Sequence, residues 1–287
     1  MSTEITTAMV EQYKANTFHL YQQKGSKLRA SVDMEDVVGK NAYVERIGKV
    51  AAVDAVSRHD DTPQIDTPHS RRRLSLVTSR YADLIDKADK VRLLISPESE
   101  YAIAGASAMG RRVDDHIIVA ATGDAFSGVA GGTTVALPSG QKVVHGSAGL
   151  TLAKLRAGKL ILDSNEVDAE DRFVICSAKQ LNNDLLGDST ITSADFNTVK
   201  TLVDGQQNTF LGFTFIISER LGLDGDSNRQ VLMYHKRAIR LGIGSEITAD
   251  IGIRRDKNLS VQVFFEMDMG ATRVEDEGVV EIACTEA

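Results

Sequence analysis

Cysteine is scarce in this chain: Cys176 and Cys284 are its two thiols in 287 residues. Two thiols make a poor covalent framework for a chain this long, and free, buried cysteines in a reducing compartment are the simpler reading. Neither stands in a Cys-x-x-Cys, and His19, His59, His69, His116, His145 and His235 never fall at metal-ligand spacing, so no metal is expected. No apolar run approaches the roughly 18 residues needed to cross a bilayer. The opening stretch has neither a basic n-region nor an apolar h-region and does not read as a signal peptide. Positive charge is the minority, with 33 Lys and Arg against 40 Asp and Glu, a net charge of −7. A sequence-independent nucleic-acid binder normally carries a basic face, so that class is disfavoured, although a local basic patch stays open.

Catalytic motifs are missing as well. The glycine-rich segment 123–140 has no Gly-x-Gly-x-x-Gly, and "SGQKVV" does not supply the Gly-Lys-Ser/Thr of a phosphate-binding loop. "DGDSNRQVLMYH" (224–235) starts like a calcium loop with Asp224, Asp226 and Asn228, but Arg229 replaces the obligatory glycine and His235 the bidentate glutamate. No Gly-x-Ser-x-Gly elbow occurs. The adjacent carboxylates Asp60/Asp61 and Asp114/Asp115 cannot share a face and make poor acid/base pairs. No catalytic constellation and no cofactor site is expected.

What is present is an α+β pattern. Residues 1–41 read as a polar, partly helical arm with no core of its own. Valine-rich "AYVERIGKVAAVDAVSRH" and alternating "RRLSLVTSRYA" read as strands. Between them Pro63 and Pro68, which cannot donate to a sheet ladder, mark a stiff polar tip. The simplest object is a long hairpin over 42–82, which is marginal by itself and needs a surface to lie on. Ser96 as N-cap, Pro97 at the first position and Glu98 and Glu100 at the positive end predict a helix over 97–122, about 39 Å long. Ile103, Ala106, Val113, Ile117 and Ala120 form its apolar stripe, and Gly123 closes it. The second half is mixed: loops with short strands to residue 150, a helix from "TLAKLRAGKLILDSNEV" broken near Gly158, a strand at "RFVIC", a short helix at "TSADFNTVKTLVDG", strands at "FLGFTFIISERL" and "RQVLMYHKRAIRLGIG", and an extended closing segment bent at Gly270.

The densest basic cluster, Arg71, Arg72 and Arg73, follows the prolines in "TPQIDTPHSRRRL". In a strand Arg71 and Arg73 share one face and Arg72 takes the other. Two charges on a face are thin for nucleic acid and ample for a carboxylate partner, and arginine favours protein interfaces. Acidic candidates are "VEDEG" (274–278), "DSNEVDAED" (163–171) and "SPESE" (96–100). A solvated charge cluster is the alternative.

The order of these parts resembles the major capsid protein of tailed bacteriophages, the Hong Kong 97-like fold. "YADLIDKADKVRLLISPESEYAIAGASAMGRRVDDHIIVAATGDA" resembles the segment through the spine helix, "VLMYHKRAIRLGIG" an axial-domain strand, "MGATRVEDEGVVEIAC" the closing segment, and "DTPHSRRRL" the descending side of the extended loop. The resemblance implies an N-terminal arm (1–41), an extended loop (42–82), a peripheral domain (83–150) with the spine helix 97–122, an axial domain (151–254) and return strands (255–287). It implies a structural protein that assembles into pentamers and hexamers of an icosahedral shell in the virion, enclosing double-stranded DNA without reading its sequence. The partners it implies are further copies of the chain, a separate scaffolding protein, a portal protein and decoration or cement proteins. Shell assembly then falls in the host cytoplasm, away from any membrane. Intersubunit contact is expected from Arg71, Arg72, Arg73, Pro63 and Pro68, and the core of the spine helix from Ile103, Val113 and Ile117. An encapsulin-type nanocompartment shell and a soluble α+β enzyme are the rival readings.

Overall fold

A computed structural model describes residues 22–54, 57–59, 61–62, 64–86, 97–185 and 209–286, with side chains of the long helix from Tyr101 onward. The first 21 residues of the arm read as partly helical, the cap Ser96, Pro63 and the helix expected at 192–205 lie outside the described residues.

Among the described residues, three sheets and one long helix make up the frame. Strands β1 (Asp33–Asp36), β4 (Val77–Ile85), β12 (Ile239–Arg254) and β13 (Ser260–Arg273) form the first sheet, ordered β1-β12-β13-β4. The second, ordered β2-β3-β5-β6, contains β2 (Asn41–Ile47), β3 (His69–Ser75), β5 (Ala125–Ser127) and β6 (Thr133–Val135). The third joins β7 (Lys142–Val143), β8 (Arg172–Cys176), β9 (Thr209–Phe210), β10 (Phe213–Ile217), β11 (Arg229–His235) and β14 (Val279–Cys284) in the order β7-β14-β11-β8-β10-β9. The helices are α1 (Pro97–Thr122) and α2 (Leu152–Ser164).

The third sheet is buried on both faces, which explains its unbroken apolar runs. Ile175, Leu232, Tyr234 and Val279 join α1 and the first sheet in one core. Their neighbours Val174, Cys176, Val231, Met233, Val280, Ile282 and Cys284 face the other way, onto Leu155 and Leu162 of α2. Alternate side chains of each strand thus serve two cores. Each large apolar side chain so buried contributes roughly 1.5–3 kcal/mol.

Burial in the second core also explains the thiols. It pushes both Cys176 and Cys284 up to about 12, leaving next to no thiolate at neutral pH. Neither is expected to react with iodoacetamide at pH 8 until the chain is unfolded. Mass spectrometry of native and urea-treated protein checks this, and stoichiometric native alkylation would contradict the packing.

Four features of the sequence reading are corrected. Helix α2 runs unbroken through Gly158, where a Cβ would meet Met233 Sδ at 2.6 Å: the glycine admits a neighbouring strand and does not break the helix. Likewise β13 continues through Gly270 without a bend. The hairpin is shorter than 42–82. Only β2 and β3 pair with each other, from Asn41↔Ser75 to Ile47↔His69, whereas β4 pairs with β13. One residue, Leu76, separates the two sheets, so the alternation reads through the change of partner. Finally, Ile103 is 45% exposed. The buried row of α1 is Gly105, Met109, Val113, Ile117 and Ala121. Ile103 lies ten residues before Val113 and so about 80° away from it around the helix. Gly105 takes the inward place because the Phe265 ring packs there, 2.6 Å from where a Cβ would stand.

Candidate assembly site: the extended hairpin and its root

The hairpin β2/β3 carries residues 48–68 at its far end. Gly48 N donates to Pro68 O at 2.8 Å where the two strands part. Beyond that point Val50, Val53 and Ile65 are exposed, as is Ile47 at the end of β2. Lys49 reaches across to the body, 3.1 Å from Glu277 and donating to Asn165 O at 3.2 Å. It crosses a cleft of about 650 Å³ lined by charges of both signs, among them Glu45, Arg46, Glu166, Arg237, Arg240 and Glu275.

The root is built differently, from buried charge and close backbone contact. Arg72 faces inward opposite Val44 and is 3% exposed, with its guanidinium 2.5 Å from Asp276. Burial draws the Arg72 guanidinium below its ordinary pKa, and Asp276 pulls it back. Asp276 also accepts from Arg273 Nε at 2.6 Å. Arg273, wholly buried, donates further to Ala121 O at 3.1 Å, Gly123 O at 2.6 Å and Val135 O at 2.9 Å. A cation against the last carbonyls of α1 complements the helix dipole.

Against this geometry the expectation for the arginine cluster is corrected at Arg72: it is an internal strut, ion-paired with its own chain and hidden from any neighbour. The three residues sit in mid-strand at the root, where β3 also pairs with β5 through Arg72↔Ser127 and Arg73↔Phe126. Arg71 lies 2.6 Å from Glu45 and 5.4 Å from the centre of the Tyr43 ring; Arg73 lies over the Phe126 ring at 4.7 Å. Both are half-buried. Pro68 is exposed at the neck of the loop. Val113 and Ile117 are buried in the core shared by α1 and the flanking sheets.

A second anchor escaped the sequence reading. Asp114, mid-helix and fully buried, accepts from Gln23 Nε2 at 2.5 Å, Ser26 Oγ at 2.5 Å, Lys27 N at 3.1 Å and Leu28 N at 3.1 Å. It holds the incoming arm on α1, and β1 then pairs in parallel with β12, where Arg240 reaches Asp33 at 2.6 Å and Glu35 at 3.0 Å. The available signal was position: Asp114 follows Val113 and precedes Ile117 on the inward side of a helix, where an unpaired carboxylate is costly. Its neighbour Asp115 points away, to Arg220 at 2.6 Å.

Nothing in this arrangement resembles a reaction centre. Among the described residues no group of three or more His, Cys, Asp or Glu side chains could hold a metal, and no helix is long and apolar enough to cross a membrane. The calcium-like loop closes on itself: Asp224 accepts from Asp226 N at 2.9 Å and Asn228 N at 2.8 Å, and these bonds, those from Asn228 foremost, hold its carboxyl below the usual range.

A mixed α+β chain with a projecting hairpin, a long central helix and flanking sheets defines the class: it is the Hong Kong 97-like fold of phage capsid subunits. The capsid of Ralstonia phage GP4 superposes with a TM-score of 0.75 at 8% identity, over 97% of this chain and 96% of that one. The capsid of cyanophage P-SCSP1u gives 0.72 at 13% identity, over 98% and 94%, and Mycobacterium phage Che8 gives 0.68 at 17%, over 95% and 96%. No curated relative matches in sequence. The phage capsid protein family matches residues 5–286, and the chain belongs to it. It is a major capsid protein, a structural component of the virion that associates with copies of itself to form the shell.

Proposed function

We propose that residues 41–75 form the intersubunit arm of this capsid protein, laid across the neighbouring copy in an icosahedral shell of pentamers and hexamers around double-stranded DNA. The observation that carries the reading is the hairpin's far end, which leaves Val50, Val53 and Ile65 exposed in the free subunit beyond the point where the two strands part. Apolar side chains clustered on a protruding element mark a contact surface. Arg71 and Arg73, half-buried at the root, Pro68, exposed at the neck of the loop, and Pro63 are assigned to the same contact. The chain's net charge of −7 suits a container that must not grip its DNA. A separate scaffolding protein, a portal and decoration or cement proteins are the further partners, and assembly belongs in the host cytoplasm.

The test is the triple variant Val50→Ser, Val53→Ser, Ile65→Ser. Its circular dichroism and melting temperature are expected to match the parent, because the three side chains are solvated in the free subunit. Sedimentation is expected to show loss of most shell-sized particles. Normal yields of closed shells would remove the hairpin from the contact.

A further inference from the structure

The root of the hairpin is more firmly fixed than a contact arm needs for reach alone. Residues 74–76 cross the first sheet where Gly242 and Gly270 are direct cross-strand partners. A Cβ on Gly242 would overlap the Leu74 side chain, and one on Gly270 the Ser75 carbonyl oxygen. The pair leaves a notch that the hairpin's return strand fills, with Leu74 wholly buried. Immediately beside it, Asp276 receives Arg72 from the hairpin and Arg273 from the end of β13. Arg273 in turn holds the C-terminal carbonyls of α1 and the carbonyl of Val135 on β6.

We propose that Asp276 is a positioning residue that locks the hairpin to the C-terminal end of α1, so that the two move as one body. The proposal rests on the intersubunit role of the hairpin and specifies what aims it. Two buried guanidiniums share one carboxylate, and the helix-end carbonyls take up the remaining positive charge. Take the carboxylate away and two uncompensated buried cations are left facing each other, the arrangement that costs most in a buried ion cluster. With the lock in place, bending is confined to the loop beyond Gly48 and Pro68. Without it, the hairpin is held by the notch, by its short pairing with β5 and by the exposed contacts of Lys49 with Glu277 and Asn165, and it swings.

The measurement is a spin-label distance between cysteines introduced as Ile47→Cys at the end of β2 and Arg156→Cys on the outer face of α2, in the soluble full-length subunit. Both positions are exposed, and the native thiols are buried. The parent is expected to give one narrow distance, Asp276→Asn a broad distribution, and hydrogen exchange at 69–75 and 125–127 is expected to accelerate at least about tenfold. Glu277→Gln, which alters only the exposed pair with Lys49, should leave both readouts unchanged. Should Asp276→Asn fail to fold, Arg72→Met decides: it leaves Arg273 and Asp276 paired one to one and keeps the core filled, yet cuts the tie to the hairpin. A distance as narrow as the parent's in Arg72→Met, or unchanged exchange in a folded Asp276→Asn, overturns the lock. If Asp276→Asn keeps the lock intact but the tip variant still abolishes shells, the contact role stands and the positioning role falls.

Discussion

Asp114→Ala is expected to free the N-terminal arm from α1 and to destabilise the subunit by about 3 kcal/mol or more. Four donors now converge on its carboxylate, and two of them are the backbone N–H groups of Lys27 and Leu28. Alanine leaves them without that acceptor; the Leu28 N–H is buried and the other donors are partly so, and each buried unsatisfied donor costs about 1–3 kcal/mol. Leu28 and Val32, which the arm delivers to the main core, lose their fixed seat as well. Asp114→Asn keeps one acceptor oxygen and turns an amide towards the donors, so its cost should fall between. Urea denaturation of the three proteins gives the comparison. An Asp114→Ala midpoint equal to the parent's would show that the arm is not held there.

Gly270→Ala is expected to be at least as damaging, about 3 kcal/mol or more, though a single methyl group is added. The clash is with the Ser75 carbonyl oxygen, which is backbone, so no rotamer relieves it. Either β13 or the return strand of the hairpin must shift, and each is tied into its own ladder, β13 to β12 and β3 to β2. The predicted signature is a soluble yield far below the parent's, with whatever folds showing rapid exchange at 69–76. Gly225→Ala is the control: nothing lies within 4 Å of its added carbon, and its stability should stay within about 0.5 kcal/mol of the parent. A Gly270→Ala subunit as stable as Gly225→Ala would mean that the notch is not occupied.

These residues also show what a chain of this kind declares locally and what it does not. The limits of α1 stood in the sequence because Pro97, the acidic first turn and Gly123 are local signals, and the helix spans Pro97–Thr122. The hairpin was visible as two strands around prolines, but its inner boundary was not, since alternation continues unbroken through Leu76 while the partner strand changes from β2 to β13. Gly158 and Gly270 look like breaks to any local rule; their cause is a Met233 side chain and a Ser75 carbonyl far away in sequence. Arg72 was legible as a charge needing a carboxylate, and "VEDEG" was among the acidic candidates, but not that Asp276 of the same chain would be the one. The fold class came through the order of the parts, because each part is carried by short-range pattern. The root of the hairpin did not, because it is assembled from contacts some 200 residues apart, Arg72 with Asp276 being separated by 204 positions.

The central claim is that residues 41–75 join one copy of this chain to the next. Electron cryomicroscopy of particles assembled from the full chain, with its scaffolding partner where one is needed, tests it most directly. The account predicts closed icosahedral shells in which density for 48–68 lies on the adjacent subunit while Arg72 stays paired with Asp276 of its own. Shells in which that segment touches only the subunit it belongs to would contradict it.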